Sequence, residues 1–115
     1  MRYQSETEIE DKVRAFEACE IGRDDFKHVD HLAVAVWYVN TLGRDAALER
    51  MRAGLIRFLA HHEVDPKKYS EEVTVFWVDQ IDAKLKALGP DVSIVEKCRT
   101  ILARDFADQR RGSGR

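Results

Sequence analysis

The feature that most restricts the fold is an uninterrupted apolar run over residues 32–39, in a chain of 115 residues. On a helix, these side chains point to nearly every side, and such a helix is stable only when other elements cover it on two sides. The run is too short to cross a bilayer, which takes about 20 apolar residues. The sequence therefore predicts a central helix buried in a bundle, with one face against the partner of a homodimer as the alternative.

Start and stop signals divide the rest of the chain into further helices. Ser5 followed by Glu8 is a capping box at the start of a helix over about residues 6–20. Asp24 or Asp25 is placed to cap the central helix, which runs to about residue 40 and is ended by Leu42 and Gly43. The third helix spans about residues 45–62. The fourth runs from its cap Ser70 to the stop at residues 89–90, and the fifth spans about residues 93–107.

The connections between these helices are short, and no segment alternates apolar and polar residues as a half-buried strand does. Short connections place successive helices next to each other in opposite directions. The predicted fold is therefore all-α, an up-down antiparallel bundle of four to five helices.

Length and charge exclude several classes of protein. A chain of this length is one domain, which we place at residues 1–108, and the polar tail over 109–115 is expected to be disordered. The formal net charge of -2 gives no electrostatic reason for binding nucleic acid or an anionic membrane. The start of the chain lacks the apolar stretch of a signal peptide, and the two cysteines are far apart in sequence. We therefore expect a cytoplasmic protein with reduced thiols.

Titratable residues converge at one end of the predicted bundle. His28 and His31 lie three residues apart near the start of the central helix, so they project to the same side. In an antiparallel bundle, the end of the third helix and the start of the fourth lie at this level. The residues brought together in this way are His28, His31, His62, Tyr69, Glu71, Glu17 and Glu20. Histidines and carboxylates from facing helices are how bundles form metal sites.

Two sequence blocks are distinctive together, FKHVDHLAVAVWYV at residues 26–39 and KYSEEVTVFW at residues 68–77. They resemble a group of small uncharacterised bacterial all-helical proteins, whose pattern is aromatic-T-H-x-x-H-L-x-V-A-x-W-Y-L followed by Y-H-E-T-I-T-x-x-W. Ser70 replaces the usual histidine of the second block, and Glu72 replaces a threonine. The resemblance covers about residues 13–88 and implies a site, without a particular reaction, at Phe16, Glu17, His28, His31, Tyr69, Glu71, Thr74 and Trp77.

The first functional hypothesis is a metal-dependent enzyme that acts on a small molecule. His28, His31 and Glu71 would bind the metal, because two histidines and one carboxylate with open positions suit catalytic zinc or non-haem iron. His62 would be a fourth ligand or a general base. Tyr69 would be a further catalytic residue, and Glu17 would orient a histidine or act as an acid or base.

The second hypothesis is a non-catalytic binding or interaction module. The buried polar cluster would then be structural, and Trp37 would face the partner in a homodimer. Of the remaining candidates, His61 and Glu72 are expected on the surface, and Cys19 and Cys98 are expected to act as small hydrophobic residues.

Overall fold

Helices account for all of the regular structure in the computed structural model, which describes residues 5–102. Short 3-10 turns at Arg23–Asp25 and Pro66–Lys68 precede the second and fourth α-helices. The α-helices are α1 Glu6–Glu17, α2 His28–Leu42, α3 Arg44–His61, α4 Glu71–Leu88 and α5 over residues 94–102. The predicted all-α fold is confirmed for the described residues. The predicted end of the last helix and the tail over 109–115 lie outside them.

Serine side chains cap three of the helices, as the sequence predicts. The Ser5 hydroxyl accepts a hydrogen bond from the Glu8 backbone N–H, and Ser70 accepts one from the Val73 N–H, both at 3.2 Å. Ser93 caps α5 in the same way. These bonds satisfy backbone donors that a helix start leaves without an intrahelical partner.

The start of α2 differs from the prediction. Asp24 and Asp25 lie in the 3-10 turn and do not cap α2, which begins only at His28. The Asp30 carboxylate closes this helix end instead, because it accepts a 2.9 Å hydrogen bond from the Lys27 backbone N–H. The Asp30 side chain is completely buried at this helix end.

The end of α1 also differs from the prediction, whereas the end of α2 agrees with the predicted stop at Leu42 and Gly43. α1 ends at Glu17, three residues before its predicted end, and Cys19 then takes a left-handed backbone conformation with φ 57°. α2 continues to Leu42, and Gly43 ends it with φ 90°, a conformation that glycine adopts without steric cost.

The predicted central helix is confirmed, since α2 packs against α1, α3 and α4. α1 covers it with Ile9, Val13 and Phe16, as its spacing predicts. The buried apolar residues of α2 itself are Leu32, Ala33, Val34, Ala35, Val36, Tyr38 and Val39. Trp37 is half-buried and packs against this core.

The helical spacing of apolar residues predicts that the inner face of α4 is formed by Val73, Trp77, Ile81, Leu85 and Leu88. In the structure, the first half of this face is turned relative to that prediction. Val73 was expected in the core and is 53% exposed, whereas Thr74 and Val78 are buried. Ile81 and Leu85 are buried as predicted. The first half of α4 carries apolar residues on both sides, so the apolar pattern alone does not determine which side faces the core.

Ion pairs between α3 and α4 show that the two helices are antiparallel. Arg44 near the start of α3 contacts Asp79 at 2.7 Å, and Arg52 contacts Glu71 at the start of α4. α1 instead lies across α2 and α3. Phe16 packs against Phe58 near the end of α3, while Glu17 contacts Tyr38 in the second half of α2. No helix among residues 5–102 combines the length and apolar character that a membrane span requires.

Candidate functional site

His28 and His31 line one small cavity among α2, α3 and α4, with a volume of about 90 Å³. The start of α2 places both imidazoles on the side that faces α4. The His28 ring meets the Trp77 ring edge to face, with centroids 5.1 Å apart. The remaining lining is mostly apolar and comes from Leu32, Ala35, Met51, Leu55, Val73, Thr74 and Val78. The predicted convergence of the two histidines is therefore present.

A larger cavity of about 440 Å³ adjoins the first one. Four residues line both cavities, namely His31, Leu55, Val73 and Thr74. The larger cavity extends past Phe26 and Phe58 to the loop before α4, where Tyr69 and Ser70 line it. We call the two cavities together the His31 groove. Its size and apolar walls are those of small-molecule sites, which measure about 300–1,000 Å³.

His31 is uncharged at neutral pH in this environment. Burial and the nearby His28 lower its pKa to about 4, against the smaller opposing effects of Asp30 and of a hydrogen bond to the Phe26 backbone. The ring of Phe26 packs against the imidazole at 4.3 Å. The groove therefore has a neutral imidazole in its wall. One ring nitrogen donates to the Phe26 backbone, and the other can accept one hydrogen bond from a ligand without introducing a charge.

Thr74 and Tyr69 provide the other polar groups of the groove. The buried Thr74 hydroxyl donates to the Ser70 carbonyl oxygen at 2.9 Å. Tyr69 is half-buried, and its hydroxyl donates to Glu71 Oε1 at 2.6 Å. Burial and this bond raise the pKa of Tyr69, so the phenol stays protonated.

Glu71 lies on the surface, outside the lining of either cavity. The Arg52 guanidinium holds the carboxylate through two hydrogen bonds, and Tyr69 supplies a third. These contacts, led by Arg52, lower the pKa of Glu71 to about 2. The sequence singled out Glu71 but not Arg52, whose role follows only from the antiparallel register of α3 and α4.

The three predicted metal ligands are not assembled into one site. Within residues 5–102, no three His, Cys, Asp or Glu side chains are grouped so that they could hold a metal ion. The structure brings His28 and His31 together but leaves Glu71 paired with Arg52 at the surface.

Glu17 and His62, both predicted to take part in catalysis, have other contacts. Glu17 accepts a 2.6 Å hydrogen bond from the Tyr38 hydroxyl and lies 3.6 Å from Arg50. Tyr38 is ten residues along α2 from His28, about 15 Å of helix. Glu17 lies on this side because successive residues of α1 point in different directions, so that Phe16 faces the histidines and Glu17 does not.

The His62 imidazole fixes the loop that follows α1. Its Nε2–H donates to the Ile21 carbonyl oxygen at 3.0 Å, and its ring packs on Phe58. His62 lines neither cavity of the His31 groove. His61 is exposed, as predicted.

The fold and the groove define an all-helical bundle with an apolar cavity at its histidine end. Comparison of the chain with known protein families, with curated proteins and with solved structures finds no match. Inferences about function therefore depend on the side chains and cavities described above.

Proposed function

We propose that this protein binds a small organic molecule in the His31 groove. The observation that carries the proposal is that two adjoining, mainly apolar cavities share four wall residues, so that the neutral His31 imidazole lines both of them. Ligand sites in bundles lie between helices, with a few polar groups that orient the ligand. His31 and Thr74 are such groups here.

The composition of the walls favours a ligand with an apolar body. Phe26, Phe58 and Leu55 form much of the larger cavity, and Trp77 closes the smaller one. Contact with these side chains removes apolar ligand surface from water, which contributes about 25 cal/mol for each Å². A single hydrogen bond to His31 would then orient the molecule.

A binding module is supported better than the metal-dependent enzyme. A catalytic zinc takes three protein ligands, and the groove supplies only His28 and His31 from the described residues. Recruitment of Glu71 would require breaking its contacts with both Arg52 and Tyr69. The binding function needs no such rearrangement.

Fluorescence of Trp77 tests the proposal, because this side chain lines the groove. In a Trp37→Phe background, Trp77 is the remaining tryptophan, and 1-octanol, cyclohexanol and octanoate are suitable probes. We expect a saturable change in emission with at least one of them. Val73→Phe, which enlarges an exposed residue of the groove wall, should weaken binding at least tenfold.

Ile56→Phe is the matched control, because Ile56 is similarly exposed and lines neither cavity. This variant should bind as the parent does. Absence of saturable binding, or equal binding by the Val73→Phe protein, would refute the proposal. A stoichiometric stabilisation by zinc or iron(II) that is lost in His31→Leu would instead favour the metal-dependent enzyme.

A further inference from the structure

The larger cavity of the His31 groove carries positive charge at its edge. Arg23 from the 3-10 turn before α2 and Lys68 from the turn before α4 both line it, and no aspartate or glutamate does. None of the ion pairs within residues 5–102 involves Arg23 or Lys68. The nearby Glu71 is neutralised by Arg52.

The rest of the cavity wall is largely apolar. Phe26, Phe58, Leu59 and Val64 lie on the side of α3 and the loops, and Val73 lies on α4. The lining therefore combines an apolar interior with two cations and a neutral imidazole. A ligand complementary to this lining has an apolar body and one negative charge.

We infer that the groove binds a monocarboxylate with an apolar tail, of the size of octanoate. This inference rests on the proposed binding function and assigns its ligand class. The tail lies against Phe26, Phe58 and Leu55, and the carboxylate meets Arg23 and Lys68 at the edge. A neutral imidazole at His31 does not repel either part of such a molecule.

The two cations act at an exposed edge, so each contributes a modest part of the affinity. Exposed ion pairs typically contribute a factor of about two to five in an equilibrium constant. Salt at 1 M shortens the Debye length to about 3 Å and removes most of this contribution. The affinity for the anion should therefore fall as ionic strength rises, whereas the affinity for a neutral analogue should not.

Isothermal titration calorimetry with octanoate and 1-octanol separates the charge from the apolar tail. We expect Arg23→Gln and Lys68→Gln each to weaken octanoate binding about two- to fivefold, and the double variant about tenfold. Binding of 1-octanol should be unchanged in all of them. Lys67→Gln is the matched control, because Lys67 is the neighbour of Lys68 and does not line the cavity.

The outcomes distinguish this inference from the proposed function. If both probes bind and the two variants leave the octanoate affinity unchanged, the assigned ligand class is wrong while the binding function stands. If the variants weaken the binding of octanoate and of 1-octanol equally, the ligand class is also wrong, because the two cations then matter as much for a neutral ligand as for an anion. If neither probe binds, both the inference and the binding function on which it rests are contradicted.

Discussion

The unfolding free energy should fall between pH 7 and pH 5 because His31 resists protonation in the folded protein. Its pKa is about 4 in the fold and about 6.5 in the unfolded chain, so the unfolded state binds the proton first. A lowered histidine pKa costs almost nothing at pH 7 and above, and the cost grows as the pH falls through 6.5 towards 4. The two pKa values give a loss of about 2 kcal/mol at pH 5 and about 3 kcal/mol as the limit below pH 4.

Comparison of the parent with His31→Leu isolates this contribution from that of other titrating groups. Leucine has a similar volume and no proton to gain. The unfolding free energy of the variant minus that of the parent should therefore rise by about 2 kcal/mol between pH 7 and pH 5. Urea unfolding followed by far-ultraviolet circular dichroism measures both proteins without adding salt. Parallel loss of stability in the two proteins would refute the reasoning.

Thr74→Val is the control variant, because it removes a polar group from the same groove that does not titrate. It removes the hydrogen bond to the Ser70 carbonyl oxygen and should cost about 1 kcal/mol at both pH values. Its pH dependence should match that of the parent. If Thr74→Val showed the same pH dependence as His31→Leu, loosening of the groove, and not protonation of His31, would be the cause of the difference.

Three further predictions concern the packing and the caps. Gly54→Ala should destabilise the protein by about 1–3 kcal/mol in urea unfolding, because a Cβ there would lie 2.5 Å from the Phe16 ring. Asp30→Ala should cost about 1.5–3 kcal/mol by the same measurement, since it removes a buried carboxylate and leaves the Lys27 N–H without its acceptor. Cys98 should resist thiol reagents at pH 8 in the folded protein, because burial raises its pKa to about 12 and leaves roughly a thousandfold less thiolate than a free cysteine has.

Each of these predictions has a result that contradicts it. A Gly54→Ala protein more stable by about 0.5–1 kcal/mol would mean that helix propensity outweighs the contact with Phe16. An Asp30→Ala protein of unchanged stability would show that the cap is dispensable. Labelling of Cys98 as fast as that of the half-buried Cys19 would show that the α5 region opens readily.

The helices were predictable because their signals are local. Ser5 and Ser70 cap helices through backbone groups three residues away, and Gly43 ends α2 through its own conformation. The start of α2 was missed because Asp24 and Asp25 are typical N-cap residues, whereas the structure closes α2 from its third position, where Asp30 accepts from the Lys27 N–H. Asp30 is also completely buried, and that burial is not visible in the sequence.

The site was predictable only in part, because it depends on how helices pack. His28 and His31 share a cavity since they lie on one helix with a spacing of three residues. The contact of Glu71 with Arg52 depends on the register between α3 and α4, and that of Glu17 with Tyr38 depends on how α1 crosses α2. Neither arrangement follows from periodicity within a single helix.

Histidine side-chain NMR tests the central claim most directly, because the four histidines report on different places. His28 and His31 line the groove, whereas His61 is exposed and His62 is bonded to the Ile21 carbonyl oxygen. On titration of protein carrying ¹⁵N-labelled histidine with octanoate and with 1-octanol, we expect saturable shifts of the His28 and His31 ring resonances and none of His61. Shifts confined to His61, or no shift of His31 at saturating ligand, would contradict the assignment of the His31 groove as the binding site.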